Sequence, residues 1–337
     1  MKRFGKISLV LSLTLSMLML GACSSNNSGG AAEENAGGNS GTKSTKSITL
    51  GFSQVGAESG WRSANTKSIQ DSAKEAGYTL KFSDAQQKQE NQIKALRSFI
   101  QQKVDVISFS PVVESGWDTV LKEAKDAGIP VILTDRAVDS KDTSLYVTFL
   151  GSDFVEEGRK AGQWLTEQYK DAAEDINIVE LQGTTGSAPA NDRMQGFKEV
   201  ISSNPNLKII ASQTGDFTRA KGKEVMQAFL KAHKDIDVLY AHNDDMALGA
   251  IQAIEAAGLK PGEDIIIISV DAVKDGMQAA SEGKINFIVE CNPLLGPQLM
   301  KVVQDVVDVK SVEARIVTEE TTFTSEQAKE ALPNRQY

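Results

Sequence analysis

From residue 48 onward the sequence alternates between short β-branched runs and amphipathic stretches of helical period. This alternation predicts parallel sheets built from βα units. The runs form two consecutive series of five, so we expect two similar α/β lobes rather than one ten-stranded sheet. The predicted strands are 48–53, 79–83, 104–110, 131–134 and 145–150 in the first series and 176–181, 207–214, 238–242, 265–270 and 286–289 in the second.

Three of the predicted helices end in the same way, with a glycine that is followed at once by extended sequence. These glycines are Gly77, Gly128 and Gly258. Glycine readily adopts the left-handed conformation that closes a helix, which supports the βα interpretation. We place the first passage of the chain from one lobe to the other near Gly151.

The first 23 residues predict a lipoprotein export signal. A basic head precedes an apolar run at 7–20 that is too short to span a bilayer stably, and Leu-Gly-Ala-Cys at 20–23 forms a lipobox. We therefore expect Cys23 to be lipidated and to begin the mature chain. Residues 24–47 contain no large apolar side chain, so they predict a disordered tether and disfavour the alternative of a short buried N-terminal helix.

Composition narrows the class of partner. The formal net charge of −9 and the pI near 5.0 argue against nucleic acid or an anionic membrane surface as the ligand. With Cys23 lipidated, Cys291 has no disulfide partner, and we predict a buried, small apolar role for it, with a reactive thiol as the alternative. The two histidines, His233 and His242, show no ligand spacing, so we predict no metal site.

Ligands of parallel α/β sheets collect at the carboxyl ends of the strands. The residues that follow the predicted strands are unusually rich in carboxylates, guanidinium groups, amides and aromatic rings. They occur in the segments 54–62, 135–136, 216–217, 243–245, 271 and 290. Such planar polar groups each hold two vicinal hydroxyls, and Trp or Phe covers the C–H face of a sugar ring. This lining favours a neutral polyol.

Single residues leave other interpretations open. Asp135 and Arg136 also fit a surface ion pair, and Trp61 also fits a rim or core aromatic. Trp117 and Trp164 lie in helical pattern, and we predict that both pack a helix against its neighbours.

Signatures of an enzyme are weak in this sequence. The Gly-Thr-Thr-Gly run at 183–186 lacks the ending of a phosphate loop and predicts a tight βα turn, and the chain has no Gly-x-Ser-x-Gly elbow. A glycosidase pair such as Asp135 with Asp271 stays open from the residues alone. The flanking arginines should keep both carboxyls ionised, which suits holding hydroxyls better than donating a proton. We predict no catalysis and no cofactor.

Four long runs carry a resemblance to a known family. They are GFSQVGAESGWR at 51–62, DAQQKQENQIKA at 84–95, GDFTRAKGKEVM at 215–226 and YAHNDDM at 240–246. With them, residues 50 to about 319 resemble the type I periplasmic sugar-binding proteins of ABC importers, in the ribose-binding branch, and are most similar there to galactofuranose-binding components. Ribose binders usually carry two phenylalanines where Trp61 and Arg62 stand and a glutamine where Glu290 stands, so we expect galactofuranose or a related hexose or pentose.

The resemblance implies two Rossmann-like lobes joined by three crossovers, with a monosaccharide bound between them and released unchanged. We expect one lobe at 48–150 plus 290–316 and the other at 151–289 plus 317–337. The implied ligand contacts are Trp61 and Arg62 from the first lobe, Asp135 and Arg136 beside the ring, Arg193 from the second lobe, Phe217 stacking, Asn243, Asp271 and Glu290 as hydroxyl partners, and Gln54 and Glu58 as additional contacts.

The implied partner is an ABC permease dimer with its ATPase, which reads the closed form of a monomeric binding protein. The tether after Cys23 resembles a Gram-positive arrangement, with the protein anchored on the extracytoplasmic face of the membrane rather than free in a periplasm. Two alternatives stay open: a sugar sensor that presents its closed form to a receptor, and a secreted glycoside-active enzyme that uses the same carboxylates.

Overall fold

The computed structural model describes residues 47–337. The predicted signal at 1–23, with Cys23, and nearly all of the predicted tether at 24–47 lie outside the described residues. In the described part, no helix combines the length and the apolar character that crossing a bilayer requires.

Twelve strands occur among the described residues. They are β1 (Thr49–Gln54), β2 (Thr79–Asp84), β3 (Val106–Phe109), β4 (Val131–Thr134), β5 (Thr148–Gly151), β6 (Ile176–Gln182), β7 (Leu207–Thr214), β8 (Val238–Ala241), β9 (Ile266–Asp271), β10 (Phe287–Glu290), β11 (Arg315–Val317) and β12 (Thr322–Thr324). All ten predicted strands are present. The fifth begins later than predicted because residues Thr143–Leu145 form a 3-10 turn that Asp142 caps.

Helices follow most of the strands. They are α1 (Gly60–Glu75), α2 (Gln89–Gln101), α3 (Asp118–Asp126), α4 (Phe154–Gln168), α5 (Ala188–Ile201), α6 (Arg219–Ala232), α7 (Asp244–Ala256), α8 (Lys274–Ser281), α9 (Gly296–Val307) and α10 (Ser325–Ala331). The glycines predicted to close three of them have left-handed backbones, with φ of 72° at Gly77, 71° at Gly128 and 78° at Gly258. That prediction is confirmed.

The strands form two six-stranded sheets, in the orders β11-β5-β4-β3-β1-β2 and β12-β10-β9-β8-β6-β7. We call the units built on them the first lobe and the second lobe. The expectation of two α/β lobes with parallel sheets is confirmed, and within the second sheet the short strand β12 runs antiparallel to β10. The carboxyl end of β11 lies at the cleft, as do the carboxyl ends of its parallel neighbours. The chain therefore enters the second sheet at its cleft edge, and β12 runs away from the cleft.

The chain passes between the lobes three times, after β5, after β10 and after β11. The three crossovers contact one another through buried polar groups. The Ser152 hydroxyl lies 3.4 Å from Cys291 Sγ and 3.3 Å from Thr318 Oγ1, and it also bonds Glu320. The base of the cleft is therefore a hydrogen-bonded junction of all three segments.

Apolar side chains cover both faces of each sheet. Trp117 immediately precedes α3 and packs on Phe109 at 4.8 Å between ring centroids, and Trp164 of α4 stacks on Phe287 at 5.0 Å. Both tryptophans serve packing, as the sequence predicted. The carboxyl ends of the two sheets face each other across the cleft, where the polar residues collect.

Candidate ligand-binding site

A cavity lies between the carboxyl ends of the two sheets. Nine of the eleven predicted site residues line it, together with four that were not predicted. The lining comprises Glu58, Ser59, Trp61, Arg62, Asp135, Arg136, Phe154, Pro189, Arg193, Phe217, Asn243, Asp271 and Cys291. The cavity therefore draws its wall from both lobes.

Two predicted residues, Gln54 and Glu290, lie off the cavity. The Gln54 side-chain oxygen accepts from Arg62 Nη1 at 3.1 Å, so Gln54 holds Arg62 from behind. The Glu290 carboxylate accepts from Arg335 Nη1 at 2.7 Å and from the Tyr337 hydroxyl at 2.8 Å. Glu290 thus binds the C-terminal segment.

Charged pairs build the wall of the first lobe. Arg62 contacts Asp135 Oδ2 through Nη1 at 2.8 Å and donates from Nε to Glu58 Oε1 at 3.0 Å. The Ser110 hydroxyl donates to the same Asp135 oxygen at 2.7 Å, and Arg136 Nη1 donates to the Val112 carbonyl at 3.2 Å. These bonds fix the two guanidinium planes before a ligand arrives.

The charges of this wall perturb its pKa values. Burial raises the pKa of Asp135, but the charges of Arg62 and Arg136 lower it by more, so the pKa lies below its ordinary value. Burial and the charge of Arg62 lower the pKa of Arg136 to about 10. Asp135 is therefore ionised at neutral pH, as the sequence analysis expected.

Among the described residues, two buried polar atoms of this wall have no hydrogen-bond partner, Glu58 Oε2 and Arg136 Nε. The side chains that carry them are each 3% exposed. A buried polar group without a partner is costly, and such groups cluster where a ligand completes the network. Two residues that line the cavity, Glu58 and Arg136, thus each keep one polar atom, an acceptor and a donor, that a hydroxyl-bearing molecule could satisfy.

Arg193 organises the wall of the second lobe. Its Nε donates to Glu157 Oε2 at 2.7 Å and its Nη1 to the His242 carbonyl at 2.6 Å, while its Nη2 lies 3.9 Å from Asp271 Oδ1. Asn243 caps α7 by accepting from Met246 N at 2.9 Å. Its amide nitrogen donates to the carbonyl of Phe217 at 3.2 Å.

Asp271 differs from Asp135 in the direction of its pKa shift. Burial raises the pKa of Asp271 well above its ordinary value, and Arg193 offsets only part of that shift. Arg193 therefore lowers the pKa of Asp271 by less than burial raises it. The guanidinium of Arg193 is engaged first by Glu157, so it compensates Asp271 only at longer range.

An arginine lies over each of three aromatic rings of the site. The guanidinium carbons of Arg62, Arg136 and Arg193 lie 4.7, 5.3 and 5.1 Å from the centroids of Trp61, Phe217 and Phe154. Trp61 is also a core residue, because it is 4% exposed and its indole N–H donates to the Cys291 carbonyl at 2.6 Å. Its two interpretations from sequence are thus not exclusive.

The backbone is strained where strands deliver the site residues. Asp135, Phe217 and Asp271 have φ of 65°, 59° and 119°, a region that residues other than glycine rarely occupy. Gly183, in the predicted tight turn, leaves room for the Phe217 ring, since a Cβ there would lie 1.9 Å from its Cζ. Glycine at 183 is explained by this close approach.

A periplasmic binding protein domain model matches residues 50–311. The chain belongs to the periplasmic binding protein family. The two-lobed architecture is its type I fold, so the resemblance noted from the four sequence runs is confirmed.

Three relatives in this family are notably similar to the chain. Galactofuranose-binding protein YtfQ of Escherichia coli K12 is 51% identical over 292 residues, which are 86% of this chain and 91% of the relative. A Mycobacterium smegmatis protein in complex with β-D-fucofuranose is 65% identical, with a TM-score of 0.85 over 86% of this chain and 96% of its own. The arabinose-transporter component of Shewanella sp. ANA-3, bound to α- and β-L-arabinofuranose, is 51% identical with a TM-score of 0.82 and the same coverage.

Four lining residues of this binding protein were missed from sequence: Ser59, Phe154, Pro189 and Cys291. Phe154 follows the fifth strand at the first crossover, so the same strand-end rule would have found it. Pro189 lies in the first turn of α5, four residues before Arg193. No sequence signal separates Ser59 from its neighbours.

Cys291 is buried, as predicted, and burial raises the pKa of its thiol well above the ordinary value, which disfavours the reactive alternative.

The Cys291 sulfur and one carboxylate oxygen each of Glu157 and Glu320 all lie within 4.8 Å of one another. The crossovers bring these three residues together although they are far apart in sequence. Burial raises the pKa of Glu157 to about 8. The charge of Arg193 lowers this pKa, but the charge of the nearby Glu320 raises it. A proton is therefore held at this junction near neutral pH.

Proposed function

We propose that the chain is the substrate-binding lipoprotein of a sugar ABC importer and captures a monosaccharide between its lobes. The observation that carries the proposal is the cavity wall, where three arginine–aromatic pairs stand beside buried carboxyls. Aromatic faces cover the C–H surface of a sugar ring, and guanidinium and carboxyl groups bind its hydroxyls. The sugars named for the relatives support a furanose, galactofuranose or a related hexose or pentose, as the ligand.

In this proposal the sugar contacts are Glu58, Trp61, Arg62, Asp135, Arg136, Arg193, Phe217, Asn243 and Asp271. The acceptor Glu58 Oε2 and the donor Arg136 Nε are the atoms that ligand hydroxyls would satisfy. Gln54 acts indirectly by holding Arg62, and Glu290 by holding the C-terminal segment.

Contacts from both lobes favour a closed arrangement over an open one by their differential affinity for the sugar. The closed form then offers a surface composed of both lobes to a permease dimer with its ATPase, and the binding protein acts as a monomer. We assign residues 48–150 plus 290–316 to one lobe and 151–289 plus 317–337 to the other. Each boundary lies within one residue of a strand end.

We infer that no chemistry is done on the sugar. Asp135 is held ionised by two arginines, so it has no proton to donate. A secreted glycoside-active enzyme is the second candidate, because Asp271 with a raised pKa and Asp135 with a lowered pKa line the same cavity, and glycosidases use carboxyls of these two kinds. A sugar sensor would use the same cleft and differ only in its membrane partner.

The lipobox at 20–23 supports anchoring through diacylglycerol on Cys23. Two acyl chains give stable attachment where one gives only marginal binding. The lobes would then work on the extracytoplasmic face of the membrane at the end of the 24–47 tether.

Mass spectrometry of the ligand carried through purification tests the proposal. We expect one monosaccharide per chain, released on unfolding, and a pure furanose added back to be recovered unchanged after prolonged incubation. A chemically altered sugar would favour the enzyme, and the absence of sugar from every preparation and titration would contradict capture.

A further inference from the structure

A hydrogen bond outside the cavity joins the first lobe to the second lobe. The backbone N–H of Gly60, the first residue of α1 in the first lobe, donates to Asp245 Oδ2 in the second lobe at 2.7 Å. Neither residue lines the cavity. The bond therefore depends on the lobes being together, and it does not depend on a ligand atom.

Asp245 is held ready for this contact from its own lobe. Arg219 donates from Nε to Asp245 Oδ1 at 3.1 Å, and its Nη2 lies 3.0 Å from the same oxygen. The other carboxylate oxygen is left for Gly60. Arg219 also contacts Asp275, whose side chain is 68% exposed. Both residues of this ion pair belong to the second lobe.

The electrostatics of the contact are favourable. The first N–H groups of a helix lack intrahelical partners and carry the positive end of its dipole, so they stabilise a nearby carboxylate. Asp245 is 6% exposed, which limits screening by water. When the lobes separate, both the carboxylate and the N–H must be hydrated again.

A second contact between the lobes lies at another point of the cleft. The Glu114 N–H donates to the Gly186 carbonyl at 2.9 Å, and the Asn191 side-chain amide donates to the Glu114 carboxylate. Because this contact involves a backbone pair, Asp245 offers the cleaner perturbation of closure.

We propose that Asp245 is a closure residue, which sets how much of the protein is closed and thereby sets sugar affinity without touching the sugar. The proposal rests on the proposed function of sugar capture. If only the closed form grips the ligand fully, the apparent dissociation constant varies inversely with the closed fraction. Loss of the Asp245 charge lowers that fraction and speeds sugar release.

The test compares Asp245→Asn with Asp275→Asn, which removes the other carboxylate on Arg219 and leaves the contact with Gly60 intact. Affinity and dissociation rate are measured with the furanose that binds the unmodified chain. Lobe separation is measured in the absence of sugar by spin labels at the exposed positions Lys94 and Lys231, in a Cys23→Ser background. Buried Cys291 stays unlabelled.

We expect Asp245→Asn to raise the dissociation constant about 5- to 30-fold, or about 1 to 2 kcal/mol, through faster release. We also expect longer label distances in the sugar-free protein. Asp275→Asn should match the unmodified chain. Unchanged affinity in Asp245→Asn, an equal loss in Asp275→Asn, or unchanged label distances would overturn the proposal. If the unmodified chain binds no sugar, the proposed function fails, and the label distances alone decide whether Asp245 controls closure.

Discussion

Replacing Glu157 with glutamine should remove a large part of the pH dependence of stability. Glu157 is buried at the crossover junction, and burial raises its pKa from an ordinary 4.5 to about 8. An acid with a raised folded-state pKa stabilises the fold below its unfolded pKa, and this contribution is lost as pH rises through the folded pKa. The stabilisation from Glu157 is therefore complete below about pH 4.5 and gone above about pH 8.

The magnitude follows from the two pKa values. Between pH 5.5 and pH 8.5 the Glu157 contribution should fall by about 3 kcal/mol. Glutamine keeps an acceptor for Arg193 but does not titrate, so the stability of Glu157→Gln relative to the unmodified chain should rise by that amount over the interval.

Urea unfolding at several pH values across this interval measures the difference. Glu156→Gln is the matched control, because Glu156 is the neighbouring residue of α4 and its side chain is 43% exposed. We expect the control to track the unmodified chain. Parallel stability curves for Glu157→Gln and the unmodified chain would refute the reasoning and place an ionised Glu157 beside Arg193 at neutral pH.

Three further predictions concern the cavity and the anchor. Glu58→Gln should weaken sugar binding about 10-fold or more, because it replaces a buried carboxylate that lines the cavity and has one unsatisfied oxygen; unchanged affinity by calorimetry would remove Glu58 from the site. Gly183→Ala should displace the Phe217 ring and weaken binding, and a crystal structure with that ring unmoved would contradict the packing argument. Cys23→Ser should leave sugar binding intact and release the processed protein into the medium; membrane retention of a correctly processed variant would refute lipid anchoring.

The strand-end rule found most of the site because parallel strands deliver their carboxyl ends to one edge. It placed Asp135, Phe217 and Asp271 in the cavity although they are far apart in sequence. It did not tell a side chain that faces the ligand from one that faces its neighbours. Gln54 is the last residue of β1, yet its amide oxygen accepts from Arg62 instead of facing the cavity.

The features that depend on the crossovers could not be predicted from local sequence patterns. The three-residue strands β11 and β12 are too short to show periodicity, and the direction of β12 depends on where β11 ends. The raised pKa of Asp271 depends on its burial and on the 3.9 Å distance to Arg193, which only the tertiary structure reveals. The contact of Asp245 with Gly60 spans 185 residues and has no sequence signature.

Calorimetric titration of the purified protein with D-galactofuranose and L-arabinofuranose, with D-ribose for comparison, measures whether the cleft captures a single sugar. We expect one site per chain, micromolar or tighter affinity for at least one furanose, about 8 kcal/mol in free energy or more, and weaker binding of ribose. If none of these sugars gives a heat of binding, or if the stoichiometry differs from one, the two lobes do not enclose a single monosaccharide.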